Sequence, residues 1–84
     1  MSVGRLVIWS LADTMTSVDE LRAEPAERTP GATQEIWFSD ETTDRWGGFA
    51  VFADAEAAEA PLPDRLRELL GKDPDVFELF DVAP

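Results

Sequence analysis

Four short segments of this chain carry apolar side chains on both faces of the strands they would form. They are Arg5-Leu-Val-Ile-Trp-Ser-Leu11, Gln34-Glu-Ile-Trp-Phe-Ser39, Gly48-Phe-Ala-Val-Phe-Ala53 and Val76-Phe-Glu-Leu-Phe-Asp-Val82. Successive side chains of a strand point to opposite sides of its sheet. An antiparallel sheet with one wet face therefore alternates apolar with polar residues. Here Val7, Trp9 and Leu11 fall on one side of the first strand, while Leu6 and Ile8 fall on the other. Two helices cover one face of a four-stranded sheet, so the second face needs a cover of its own. A second copy of the chain is the expected cover, giving a homodimer with a shared apolar interior.

The length of 84 residues suits one domain, 1–84, and is too short for two. A domain this small leaves much of its surface exposed, so burying a sheet face against a partner adds stability. The formal net charge is -11, from 18 acidic and 7 basic residues. Such a surface repels phosphate backbones and anionic lipid, which argues against nucleic-acid and membrane-surface partners. Cysteine is absent, which removes disulfide and thiolate chemistry. The apolar run Leu6–Leu11 is too short for a signal-peptide core, and no stretch reaches membrane-span length. A cytoplasmic location is the expectation.

Along the chain, a strand over about Val3 to Leu11 is followed by a loop in which Thr16 or Ser17 can cap a helix. Glu20 lies three residues after Ser17, the spacing of a capping box. The helix from Val18 places Val18, Leu21 and Ala26 near one face, and Pro25 limits or kinks it. Thr29-Pro-Gly-Ala32 is a turn into the next strand. The polar stretch Glu41-Thr-Thr-Asp-Arg45 reads as a hairpin loop, making strands two and three antiparallel neighbours. Asp54-Ala-Glu-Ala-Ala-Glu-Ala60 favours helix with Asp54 as N-cap, until Pro61 and Pro63 interrupt it. Helix resumes over 64–70 and stops at Gly71, before a last strand after Pro74. The resulting order, β-α-β-β-α-β, is that of a ferredoxin-like α+β fold with a four-stranded antiparallel sheet.

Charge suggests which face is which. An unpaired charge beneath a helix is costly, so Arg5, Glu35 and Glu78 are expected to point away from the helices. Parity then places Arg5, Val7, Trp9, Leu11, Glu35, Trp37, Ser39, Glu78, Phe80 and Val82 on the far face. Leu6, Ile8, Ile36, Phe38, Phe77 and Leu79 would pack under the helices with Leu66, Leu69 and Leu70. Strand three stays open between Phe49/Val51 and Ala50/Phe52, because Gly47-Gly48 can hide a bulge. An exposed face of this kind is an interface or an aggregation hazard. At about 25 cal/mol per Å2, several hundred Å2 of apolar burial is worth on the order of 10 kcal/mol before association costs.

The runs Pro30-Gly-Ala-Thr-Gln-Glu-Ile-Trp37 and Asp44-Arg-Trp-Gly-Gly-Phe-Ala-Val-Phe-Ala-Asp54, with Ala57-Ala58 and Phe80-Asp-Val82, resemble the dimeric α+β-barrel superfamily. More narrowly, the chain resembles the small proteins of the YdhR mono-oxygenase type. That resemblance implies a ferredoxin-like homodimer, forming a dimeric α+β barrel, and cofactor-independent oxidation of an aromatic substrate. The chain departs from the pattern at Ala50, where an aromatic residue usually follows Gly-Gly-x. It departs again at Glu35, where a basic residue often stands two positions before the strand-two Trp.

Histidine and tyrosine are also absent, which removes the commonest general base and metal ligand and a useful phenol. An oxygenase without a cofactor must still deprotonate its substrate or stabilise an enolate. Glu35, Glu78 and Asp81 are the candidate bases, with Arg5 as electrostatic partner; the competing reading is that Arg5 only pairs with Glu35 or Glu78. Trp9, Trp37, Trp46, Phe80 and Phe49 are candidates to line a pocket for a small aromatic or apolar ligand, or else to anchor core and interface. No phosphate loop or calcium-loop spacing occurs, so neither a metal nor a cofactor is expected. Two functions follow: a mono-oxygenase-like enzyme with its pocket between sheet and helices or between subunits, and a non-catalytic dimeric binding or structural module.

Overall fold

A computed structural model describes residues 2–23, 29–59 and 61–83. Strand β1 (Ser2–Ser10) leads to helix α1 (Val18–Ala23), then β2 (Ala32–Asp40), β3 (Arg45–Phe52), a 3-10 turn (Ala57–Glu59), helix α2 (Asp64–Leu70) and β4 (Val76–Val82). The strands form one sheet in the order β2-β3-β1-β4. Each neighbouring pair is antiparallel, so this is an α+β fold.

Local chemistry explains most element ends. The Ser17 hydroxyl accepts the Glu20 N–H at 3.2 Å, which starts α1. The expected course of that helix through Pro25 and Ala26 lies outside the described residues. In the β2–β3 hairpin one Asp40 carboxylate oxygen accepts the N–H groups of Thr42 and Thr43, at 3.0 and 3.3 Å. Asp44 closes the turn in the left-handed region, at φ 54°. Gly71 ends α2 at φ 68°, its N–H donating to the Arg67 carbonyl. The helix expected over 54–60 is shorter than its composition suggests. Asp54 does cap it, accepting the Ala57 N–H at 2.8 Å, but the segment makes a single 3-10 turn. Pro61 and Pro63 lack the N–H donors that a longer helix needs there.

Both helices cover the same side of the sheet. Val7, Trp9 and Leu11 form the main core there with Val18, Leu21 and Leu70, flanked by Trp37, Trp46, Leu62, Leu66 and Leu69. A smaller cluster joins Val3, Ala50, Phe52 and Ala58. This reverses the expected facing of β1 and β2. Arg5, Val7, Trp9 and Leu11 lie under the helices together with Glu35 and Trp37, whereas Ile36 and Phe38 are 67% and 39% exposed on the far side. Arg5 is tolerated beneath the helices because it is not unpaired. Its guanidinium donates to the Ala58 carbonyl at 3.0 Å and lies 4.8 Å from the centre of the Phe52 ring.

Register settles the remaining strands, because directly opposed residues share a face. Ala50 and Phe52 oppose Arg5 and Val3, so they face the helices, and Phe49 and Val51 face away. In β4, Phe77 opposes Val7 on the helix side, while Glu78 and Phe80 oppose Leu6 and Gly4 on the far side, as expected. The irregularity in the sheet sits between Ala32 and Gln34 and not at Gly47-Gly48, where register is continuous. Those glycines answer a packing need instead. A Cβ on Gly47 would stand 2.6 Å from the Phe38 ring, and one on Gly48 would stand 2.5 Å from the Trp37 ring. Each ring lies flat across a glycine, one on each face.

Candidate functional site

Two concave regions meet at Arg5. The first is a narrow cavity of about 10 Å3 on the helix side, lined by Arg5, Thr29, Glu35, Trp37, Ala50 and Leu62 among others. That is room for about one water molecule. The second is an open cleft of about 460 Å3 along β4, lined by Arg5, Glu59, Leu62, Arg67, Lys72 and Phe77 together with Pro61, Asp73 and Pro74. Its size falls within the range of small-molecule sites.

The cleft exists because the helical layer stops short of β4. Phe77 shares the helix-side face with Val7 yet is 51% exposed. The helix α2 supplies Arg67, and the loop after it supplies Lys72. That loop is tied to the end of β1 by several bonds. The Trp9 indole N–H donates to the Lys72 carbonyl at 3.1 Å. The Lys72 ammonium reaches Asp13 at 2.7 Å and Asp75 at 3.0 Å, and Asp75 accepts the Ser10 N–H at 2.7 Å. Hydrogen bonds from the Ser10 N–H and from Lys72 hold the Asp75 carboxyl below its ordinary pKa. Hydrogen bonds to Asp13 and Asp75 raise that of Lys72.

Arg5 and Glu35 stand together at the narrow cavity. Burial lowers the Arg5 pKa from its ordinary value, and the Glu35 charge acts in the opposite direction. Glu35 accepts the Trp37 indole N–H at 3.1 Å and the Thr29 N–H at 3.4 Å. The pairing foreseen between Arg5 and Glu35 is therefore present as an electrostatic interaction on the helix side between a buried guanidinium and a half-buried carboxylate. Trp37 stacks on Trp46 with ring centres 6.2 Å apart and planes 11° apart. Trp9 is fully buried in the core.

Glu78, Asp81 and Phe80 are not part of this grouping, and Phe49 adjoins the narrow cavity from a strand position that faces the other way. Glu78, Phe80 and Phe49 belong to the far face, with Leu6, Ile8, Ile36, Phe38, Val51, Val76 and Val82. Asp81 opposes Val3 at the exposed edge strand. The structure thus divides the candidate catalytic residues: Arg5 and Glu35 sit together, and Glu78 stands on the other side of the sheet. Arg67 and Lys72 were not singled out from sequence, and Phe77 was expected to be packed under the helices. Their sequence signal was faint: Phe77 on an alternating strand, Arg67 in an amphipathic helix, and a proline on each side.

Comparison with known family models and with curated proteins found no match to the chain. No group of histidine, cysteine or carboxylate ligands able to hold a metal ion occurs among the described residues. None of their helices is long and apolar enough to cross a membrane.

Proposed function

We propose that this protein is a homodimeric small-molecule-binding protein of ferredoxin-like, dimeric α+β-barrel architecture. Each subunit would take a small apolar or aromatic ligand in its own cleft between sheet and helices. The observation that carries this reading is the division of labour between the two sheet faces. The far face is largely apolar, its ionisable strand residues being Glu78 on the edge strand β4 and the Asp40–Arg45 pair at the hairpin end, which suits pairing with a second copy. The 460 Å3 cleft lies on the opposite face and would stay open after such pairing. Sedimentation equilibrium together with chemical-shift mapping of a naphthalene-class probe tests both halves. A dimer with the probe perturbing Leu62 and Phe77 is the expected result. A stable monomer at high concentration would remove the first half, and shifts confined to the far face would remove the second.

A second reading, cofactor-free mono-oxygenation, draws on Arg5. A desolvated guanidinium at the floor of the cleft is suited to stabilise a phenolate or enolate oxygen. In such a reaction one oxygen atom enters the substrate as a carbonyl and the other leaves as water. All four electrons come from the substrate. The base is the weak point, since Glu35 is engaged by Trp37 and Thr29 in a cavity too small for a substrate. Dioxygen uptake with a panel of phenols, quinols and anthrones measures it directly. Uptake no faster than in buffer leaves the binding reading alone.

A further inference from the structure

We infer that the cleft selects an aromatic monoanion, such as an arene carboxylate, over the corresponding neutral molecule. This rests on the reading of the cleft as a ligand site and adds the charge of the ligand. The chain has seven cationic side chains against 18 carboxylates, yet three of those seven, Arg5, Arg67 and Lys72, line this single cleft. Two carboxylates, Glu59 and Asp73, line it as well, and Lys72 is neutralised from outside the lining by Asp13 and Asp75, so the two arginines are the cations open to a ligand on a protein of -11. With Lys72 so engaged and two carboxylates in the wall, the cleft suits a single negative charge better than a phosphate dianion.

The three cations differ in how firmly they are engaged. Lys72 is held between Asp13 and Asp75. Arg5 is anchored to the Ala58 carbonyl and points its delocalised face at Phe52, with Phe77 at 6.0 Å. Arg67 contacts Asp64 only at 3.8 Å, and its side chain is largely exposed. It is therefore the group able to swing and form a two-pronged bond with a carboxylate. The remaining walls, Phe77, Leu62, Pro61 and Pro74, present flat apolar surfaces to an aromatic ring. The ligand this combination fits has a ring against Phe77 and a carboxylate toward Arg67.

The test titrates the full chain with 2-naphthoate and with 2-naphthamide, following binding by calorimetry and the Leu62 and Phe77 resonances by NMR. In low salt the carboxylate is expected to bind about tenfold more tightly than the amide. Raising the salt or substituting Arg67→Gln should remove that preference. Arg65→Gln, on the same helix but outside the cleft lining, should keep it, which separates a local contact from overall charge. Equal binding of the two probes at the cleft would overturn the inference while leaving the cleft a ligand site. Loss of selectivity in Arg65→Gln as well would overturn it too, by assigning the effect to the general field. Failure of both probes to perturb Leu62 and Phe77 would overturn this inference and the reading beneath it.

Discussion

The two faces of the sheet are built from much the same residue types, yet one is sealed and the other is bare. On the helix side, Val7, Trp9 and Leu11 are buried against α1 and α2, and Arg5 is buried with them at 2% exposure. On the opposite side, Leu6, Ile8 and Val51 are half-buried only by their neighbours in the sheet, and Phe80 is 45% exposed. The covered face nonetheless holds charge on its strands, in Arg5 and Glu35. Apolar content therefore did not choose the face. What distinguishes the helix side is that its charged groups and its central indole have partners: the Ala58 carbonyl for Arg5, the Lys72 carbonyl for Trp9, and Trp37 with Thr29 for Glu35, while the buried Trp46 indole N–H has none among the described residues. A buried polar group that is satisfied is tolerated, and its apolar neighbours then complete the core.

The contrast is broken most severely at Trp9. Trp9→Ala should destabilise the fold by about 3–5 kcal/mol in denaturant unfolding, because it empties the centre of the core and orphans the Lys72 carbonyl. Ile36→Ala, on the bare face, should leave the unfolding of an isolated subunit nearly unchanged. Next in size is the effect of charge on the bare face. Phe80→Lys should weaken self-association by about 100-fold or more in sedimentation while circular dichroism stays native, since an unpaired buried charge opposes the interface. Retention of the dimer would mean that the far face is not where subunits meet.

Arg5→Ala tests the claim that a partnered charge stabilises the covered face. It should lower stability by about 2 kcal/mol, through loss of the bond to Ala58 and of the contact with Phe52. An increase in stability would show the guanidinium to be a burden on the core. The smallest effect is expected at Asp75. Its folded pKa lies below the ordinary 3.8, so its contribution is full above that value and is lost as the pH falls through the folded pKa. Lys72 has the opposite sign: its raised pKa gives a contribution that is full below 10.5 and is lost as the pH rises beyond it. The protection of the Ser10 amide, taken relative to the intrinsic exchange rate at each pH, should accordingly be high near neutral pH and fall in acid, and Asp75→Asn should flatten that acid dependence. An unchanged acid profile in the variant would assign the effect to other carboxylates.

Much of the fold was legible in the residues. The hairpin expected over 41–45, the stop at Gly71, the cap at Ser17 and the antiparallel pairing of strands two and three rest on short-range rules, and the structure obeys them with β3 starting already at Arg45. The facing of β1 and β2 is the opposite of the one that charge alone implies, and the candidate site divides accordingly. Arg5, Glu35, Trp9 and Trp37 had been grouped with Glu78 and Phe80 on one surface, and the sheet separates them. The cleft itself had no clear sequence mark, because it depends on where α2 ends relative to the edge of β4.

Sequence alone determined that this chain makes strands apolar on both sides, and hence that its sheet has more greasy surface than two short helices can shelter. Side-chain alternation along a strand is a local property, readable residue by residue. Only the tertiary structure decided which surface the helices take. That choice depends on partners far away in the chain, such as the Ala58 carbonyl 53 residues from Arg5 and the Lys72 carbonyl 63 residues from Trp9. Parity tells which side chains travel together, and long-range hydrogen bonds select the side on which they are buried.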